Sequence, residues 1–307
     1  MKKVLLATEK PFAGEAVEGI KGIASGAGYN LVLLEKYTEK ADLINAVADV
    51  DAMIIRSDIV DAEVLDASKK LKIVVRAGAG YDNIDLTAAT NHHVVAMNTP
   101  GQNSNAVAEL AIGMMIYQAR KQFSGKSGSE LRGKSLGLYG FGNVGMSLAN
   151  IAKCFGMKIF AFDPYKSIKA IEAEEVFPVK TLEELFSGSH YVSLHIPANN
   201  ETNNSINYQL LMSMPKPATL VNTARKEVIN EVDLIKMFEE RKDFEYIADV
   251  EPGCVAEIRE KYTGRYFFTP KKMGAQTEEA NVNAGLAAIR QIIDFFEKGD
   301  VQFQVNK

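Results

Sequence analysis

Short, almost uninterrupted apolar runs alternate with segments of helical periodicity along this chain, and that alternation limits its fold more than any other feature. The first runs are KVLLAT (3–8), NLVLLE (30–35), AMIIR (52–56), KIVVRAG (72–78) and VVAMN (94–98). A second series reads SLGLYG (135–140), KIFAFD (158–163), YVSLHI (191–196), ATLVNTA (218–224), YIADV (246–250) and RYFFTP (265–270). A strand apolar on both faces must be covered on both, which helices between successive parallel strands achieve. Two such series in 307 residues predict an α/β chain of two doubly wound parallel-sheet domains. Between them, from Asn103, A-V-A-E-L-A-I-G-M-M-I-Y-Q-A-R predicts a long helix. Its apolar surface is wider than one stripe, so it is expected to pack on a second domain or subunit as well.

Composition removes several function classes. Apolar residues at 47% and charged residues at 24% suit a globular chain with a real core, and a net charge of -4 argues against a nucleic-acid partner. Cys154 and Cys254 are too few and too far apart for a disulfide framework or a zinc site, so no metal is expected. After Met-Lys-Lys only V-L-L-A-T precedes the next charge, too short for a signal peptide or a membrane span. A cytoplasmic protein without a membrane partner is expected.

One loop points to a cofactor. Y-G-F-G-N-V-G places Gly140, Gly142 and Gly145 in G-x-G-x-x-G spacing around Asn143 and Val144, between a strand and a helix. The first glycine permits the turn, the second lets backbone approach a pyrophosphate, and the third lets helix pack on strand. Asp163 ends the next strand, where a carboxylate can accept hydrogen bonds from ribose hydroxyls and would repel a 2′-phosphate. With Lys166 the only nearby cation, NAD is expected rather than NADP. The competing readings are a glycine-rich turn that binds nothing and a methyltransferase.

R-A-G-A-G-Y-D-N-I-D (76–85), M-N-T-P-G-Q-N-S-N-A-V-A-E-L (97–110), L-V-N-T-A-R (220–225) and T-P-K-K-M-G-A-Q-T-E-E-A (269–280) resemble, in that order, the D-isomer-specific 2-hydroxyacid dehydrogenase family. The likeness spans nearly the whole chain and is greatest to the short, phosphoglycerate-oxidising branch without an appended regulatory domain. It implies a flavodoxin-like substrate domain from both ends of the chain (1–99 and 281–307) around a Rossmann NAD-binding domain (100–280), in a homodimer. It also implies that Arg225 binds the substrate carboxylate and polarises the reacting oxygen, and that Thr223 and Asp249 lie on the cofactor. Glu251, before Pro252 but closer to Asp249 than is usual, either is the family's catalytic glutamate on a shortened loop or has lost that role. Lys226 replaces the glycine that usually follows the arginine. Arginine suits the Arg225 role because its planar fork donates two parallel hydrogen bonds.

The family's T-P-H-I-G-A-S-T strand end carries a histidine that takes the hydroxyl proton. Here T-P-K-K-M-G-A-Q-T stands instead, and none of the four histidines (His92, His93, His190, His195) lies beyond residue 195. Reading back from the helix without a gap puts Lys272 in its place; reading forward from T-P puts Lys271 there. A lysine base must be neutral, and cationic neighbours such as Arg225, Lys226 and the other lysine favour that. Two solvated loop lysines are the plain alternative, and His195 fits a structural or cofactor-edge role.

Arg56-Ser57, Arg76-Ala77-Gly78 and Asn103 or Ser104 resemble the family's substrate contacts. Together with Arg225 and a lysine, Arg56 favours an anionic, phosphorylated hydroxy acid, since a smaller acid would leave Arg56 unpaired. The expected reaction is NAD-dependent oxidation of 3-phosphoglycerate. A glyoxylate or hydroxypyruvate reductase and a catalytically silent NAD-binding partner protein are the alternatives.

Overall fold

In the computed structural model, which describes residues 1–306, the chain divides into two units: residues 1–103 with those from 275 onward, and residues 104–274. The first unit contains β1 (Lys3–Thr8), α1 (Gly14–Gly26), β2 (Asn30–Glu35), α2 (Lys40–Val47), β3 (Ala52–Ile55), α3 (Ala62–Ala67), β4 (Ile73–Arg76), α4 (Leu86–Asn91) and β5 (Val95–Asn98). All strands are parallel, in the order β2-β1-β3-β4-β5, the flavodoxin-like winding. Every residue of β3 is buried, whereas edge strand β2 leaves Leu33 exposed. Asp61 and Asp85 cap α3 and α4 by accepting from Val64 N and Ala88 N, which sets where those helices start.

The second unit contains α5 (Ser104–Ala119), β6 (Ser135–Tyr139), α6 (Asn143–Cys154), β7 (Lys158–Phe162), α7 (Ile168–Glu172), β8 (Phe177–Pro178), α8 (Leu182–Ser187) and β9 (Tyr191–Leu194). It continues with α9 (Tyr208–Ser213), β10 (Thr219–Asn222), α10 (Glu231–Glu240), β11 (Glu245–Ala248), α11 (Val255–Lys261) and β12 (Tyr266–Phe268). Its seven parallel strands run β12-β11-β10-β9-β6-β7-β8, a Rossmann winding with a seventh strand at one edge. The sequence carries no signal for β8, because a two-residue strand has no apolar run to show. The strands stop short of the apolar runs that announce them, and the surplus residues Gly140, Asp163, His195, Thr223, Asp249 and Thr269 stand at the carboxyl edge of the sheet.

The chain then returns to the first unit as α12 (Glu278–Lys298), capped by Thr277 and ended by Gly299 in the left-handed region. Its Ala284, Ala288, Ile289 and Ile292 join Val4, Leu6, Ile54 and Val75 in one core layer. Residues Gly19 of α1 and Gly285 of α12 allow the two helices to pack closely: a Cβ at 285 would lie 2.9 Å from Ile20 Cδ1 and 3.2 Å from Phe12. Beyond it, Asn306 Oδ1 accepts from Ala96 N at 2.8 Å and Asn306 Nδ2 donates to Val94 O at 2.9 Å, tying the end of the described chain to β5. Among the described residues no helix is long and apolar enough to cross a membrane, and no three His, Cys, Asp or Glu side chains cluster as metal ligands.

Gly285→Val should destabilise the first unit by about 2 kcal/mol, the usual cost of overpacking, measured by urea unfolding. An unchanged midpoint would show that the α1–α12 contact can spread freely.

Candidate active site

The glycine loop after β6 is shaped by what lies behind it. Gly140 sits at φ +92, and a Cβ there would stand 2.8 Å from the backbone oxygen of His195. At Gly145 a Cβ would stand 2.4 Å from the Gly140 carbonyl, so α6 can seat on the turn only without a side chain. Gly142 differs: a Cβ there meets nothing within 4 Å, so the space over the loop is open. As N-cap of α6 it offers no side-chain acceptor, which leaves the first helical amides for an anion; Asn143 is exposed beside it and Val144 half-buried. Asp163 Oδ2 accepts from Phe141 N at 2.8 Å and Oδ1 from Tyr165 N at 2.9 Å. The carboxylate therefore braces the loop and keeps lone pairs for hydroxyl donors.

Across the β9–β10 pair, His195 Nε2 and Thr223 Oγ1 are shut from solvent without a partner. Buried polar atoms are normally hydrogen-bonded, so two orphans at neighbouring strand ends leave hydrogen-bonding capacity that a polar ligand takes up only if the strand ends open to it. Together with the open cradle at Gly142, they fit a dinucleotide. Burial pushes the His195 pKa down to about 4, so its imidazole is neutral at pH 7. This matches a structural or cofactor-edge place for it.

At the ends of β10, β11 and β12 the second unit brings its cations together. Arg225 Nη1 donates to the Ala224 carbonyl at 3.1 Å, and Lys272 Nζ donates to the same oxygen at 2.6 Å and to Thr223 O at 3.4 Å. Lys271 is exposed on the same loop. Lys226 opens a short 3-10 turn, Lys226–Val228, without a positive φ, so the usual glycine is not required there.

Asp249, 1% exposed, holds the lysine loop: Oδ1 accepts from Thr269 Oγ1 (2.8 Å) and Met273 N (2.9 Å), and Oδ2 from Gly274 N (2.8 Å). Three of about four acceptor positions are thus taken by its own chain. Glu251 pairs with Arg259 of α11, which draws its carboxylate onto that helix. Asn222, to which the sequence assigned no role, is fully buried and ties the 222–225 turn through both ends of its amide.

The first unit gathers its own polar residues. Arg56 Nη1 donates to Lys10 O (3.1 Å) and Pro11 O (3.0 Å), its Nη2 donates to Asn281 Oδ1 (2.6 Å), and its guanidinium lies over the Phe12 ring. Arg56 is therefore paired within its own unit, which corrects the expectation that a smaller substrate would leave it unpaired. Burial also lowers the Arg56 pKa. Arg76 Nε donates to Arg56 O at 3.0 Å, and its guanidinium folds across Gly78, where a Cβ would collide with Nη1. Ala77 is buried, Ser57 exposed, and Asn103 closes the unit. A residue the sequence did not single out, Asp58, accepts from Glu9 N, Tyr37 Oη and Arg56 N and fixes these loops.

Residues 104–256 match the family model of the D-isomer specific 2-hydroxyacid dehydrogenase NAD binding domain. A hydroxypyruvate reductase of Thermotoga maritima is 36% identical over 85% of this chain and 90% of its own length. A D-3-phosphoglycerate dehydrogenase of Synechocystis is 36% identical over 83% of this chain but 48% of its own length, so the chain spans about half of that relative. The crystal structure of NAD+-bound 3-phosphoglycerate dehydrogenase from Entamoeba histolytica superposes with a TM-score of 0.87 at 48% identity, covering 100% of this chain and 99% of that one.

Gly145→Ala should weaken NAD binding at least about tenfold by titration calorimetry, because the only atom it can displace is backbone of the loop itself; unchanged affinity would remove the loop from the site. His195 has a pKa below the unfolded value near 6.5, so the unfolded chain binds more protons between those values. Its contribution to stability is full above pH 6.5 and is lost as pH falls towards 4. Between pH 7 and pH 5 the wild type should lose about 2 kcal/mol from this group, a loss absent in His195→Gln when the two unfolding curves are compared.

Proposed function

Because this chain belongs to the D-isomer-specific 2-hydroxyacid dehydrogenase family and is NAD-dependent, we propose that it oxidises D-3-phosphoglycerate to 3-phosphohydroxypyruvate, the first step of serine biosynthesis. The observation that carries the proposal is the convergence of Arg225 and Lys272 on one carbonyl oxygen, that of Ala224. Two cations at one strand end suit an anion that also has a proton to exchange. Arg225 takes the substrate carboxylate with its fork and polarises the C2 oxygen. Lys272, a cation at rest beside Arg225, gives a proton to solvent before it accepts that of the C2 hydroxyl. NAD supplies the acceptor for the C2 hydride, so one C–H and one O–H bond become a C=O bond, NADH and a proton. Lys272 is preferred to Lys271 because its Nζ reaches the Arg225 turn. Glu251 is given no part in the proton path, since its carboxylate is paired with Arg259.

Thr223, Asp163 and the Gly140–Gly145 loop are assigned to NAD, and Asp249 to holding the lysine loop at the nicotinamide end. Arg76, Ala77, Gly78, Ser57 and Asn103 are assigned to the substrate, with Arg56 as their brace as well as a phosphate donor. A homodimer in the cytoplasm completes the proposal. The 48% identity to the Entamoeba histolytica enzyme supports this substrate. The internal pairing of Arg56 favours a second reading, reduction of hydroxypyruvate, which needs no phosphate site.

Oxidation of 3-phosphoglycerate, followed as NADH, should exceed that of D-glycerate by about 100-fold in kcat/KM, as expected for two or so charge-assisted hydrogen bonds to phosphate. Lys272→Met should lower kcat by about 100-fold or more, and Lys271→Met by less than about threefold. Equal use of the two acids would favour the reductase, and a fully active Lys272→Met would remove the lysine base.

A further inference from the structure

We infer that Asn222 is a positioning residue that aims both Arg225 and Lys272, by holding residue Ala224, to whose carbonyl the two cations are attached. The inference rests on the roles proposed above for those two side chains.

Asn222 is the last residue of β10 and is fully buried, directly after the apolar Leu220 and Val221. A buried amide is costly unless its hydrogen bonds are made, so where those bonds go tells what the residue holds. Oδ1 accepts from Ala224 N at 2.9 Å, and Nδ2 donates to Arg225 O at 2.9 Å and to the Tyr246 hydroxyl at 3.4 Å. The amide cannot be turned over, because oxygen would then face the Arg225 carbonyl and NH2 would face the Ala224 N–H. The Asn222 carbonyl accepts from Asp249 N at 2.9 Å, which joins the turn to the residue that anchors the lysine loop.

Residue Ala224 is thereby held by Asn222 at its N–H, and the next residue at its carbonyl. The carbonyl of Ala224 itself receives Arg225 Nη1 and Lys272 Nζ. Rotation of that turn would release the two cations together. A residue that merely completed the core would not need a donor and an acceptor aimed at successive residues of one turn. The Tyr246 hydroxyl, buried beneath, accepts from the same amide nitrogen at 3.4 Å.

The test uses Asn222→Asp, which keeps the shape but sets a carboxylate oxygen against the Arg225 carbonyl, and Asn222→Ser, which shortens the side chain and serves if the aspartate variant does not fold. Each is made in wild type and in Arg225→Lys. In the wild-type background kcat/KM for 3-phosphoglycerate, and for hydroxypyruvate with NADH, should fall about 30-fold or more while the Kd for NAD changes less than about threefold. In the Arg225→Lys background the same substitution should cost only about threefold to tenfold, since Lys272 alone is left for it to aim. Equal losses in both backgrounds, or NAD affinity falling in step with activity, would overturn the inference in favour of general destabilisation. A crystal structure of Asn222→Ser gives a reading independent of turnover. A displaced 223–225 turn supports the inference, and an unmoved one overturns it. Wild type that turned over neither substrate would defeat the proposed reaction while leaving this structural outcome to be read.

Discussion

The carboxylate of Asp249 is the interaction on which the arrangement of the cations depends. Sunk at the end of β11, it collects a hydroxyl and two backbone amides from the segment 269–274, and so bends the chain after β12 back over its neighbour. Lys272 lies inside the bend, between Thr269 and the two tied amides. The closure is tight enough that residue 274 must be glycine, since a Cβ would stand 2.9 Å from Oδ2. Hydrogen bonds to a charged acceptor are among the stronger ones in a protein, and here three of them hold one loop. A lysine with four rotatable bonds is otherwise a poor choice for accurate placement. The rigidity it lacks comes from the loop beneath it.

The two units divide the chemistry by the same device. In each, parallel strands end together, and an acid at that edge binds backbone amides of neighbouring loops: buried Asp58 in one, buried Asp249 and half-buried Asp163 in the other. The side chains proposed to meet ligands are thus carried on short turns whose main chain is already hydrogen-bonded. This explains how Arg225 and Lys272 can share an oxygen despite their like charge. Their backbones are fixed before the side chains meet, and the Ala224 carbonyl dipole offsets part of the repulsion.

The fold was legible because both sheets are covered on two faces, so nearly every strand announced itself as an apolar run; β8, with two residues, could not. The glycine loop, Asp163 and Arg225 were legible because each is local, a spacing beside a strand end. Lys272 could be preferred to Lys271 because the following M-G-A-Q-T fixes its offset from α12. What stayed hidden is set by non-local partners. Asn222 looked like part of a motif, and its role rests on a turn three residues on and on Tyr246 from the next strand. Arg56 was read as a side chain in search of an anion, whereas its partners are carbonyls of Lys10 and Pro11 and the amide of Asn281. No local pattern gives the distance between residues 56 and 281. The pairing of Glu251 was hidden similarly, since only the fold brings Arg259 around to it.

The path of the chain has a consequence for synthesis. The second unit is one continuous stretch, 104–274, and can close its core as soon as it has left the ribosome. The first unit cannot. One face of its sheet is covered by α1 and α12 together, and β5 is joined by Asn306, so a layer containing Val4, Leu6, Ile54 and Val75 waits half covered until the middle of the protein has been made. Residues 1–103 therefore emerge before the second unit and finish after it. During that interval the part of the apolar face that α1 leaves open is exposed to other chains.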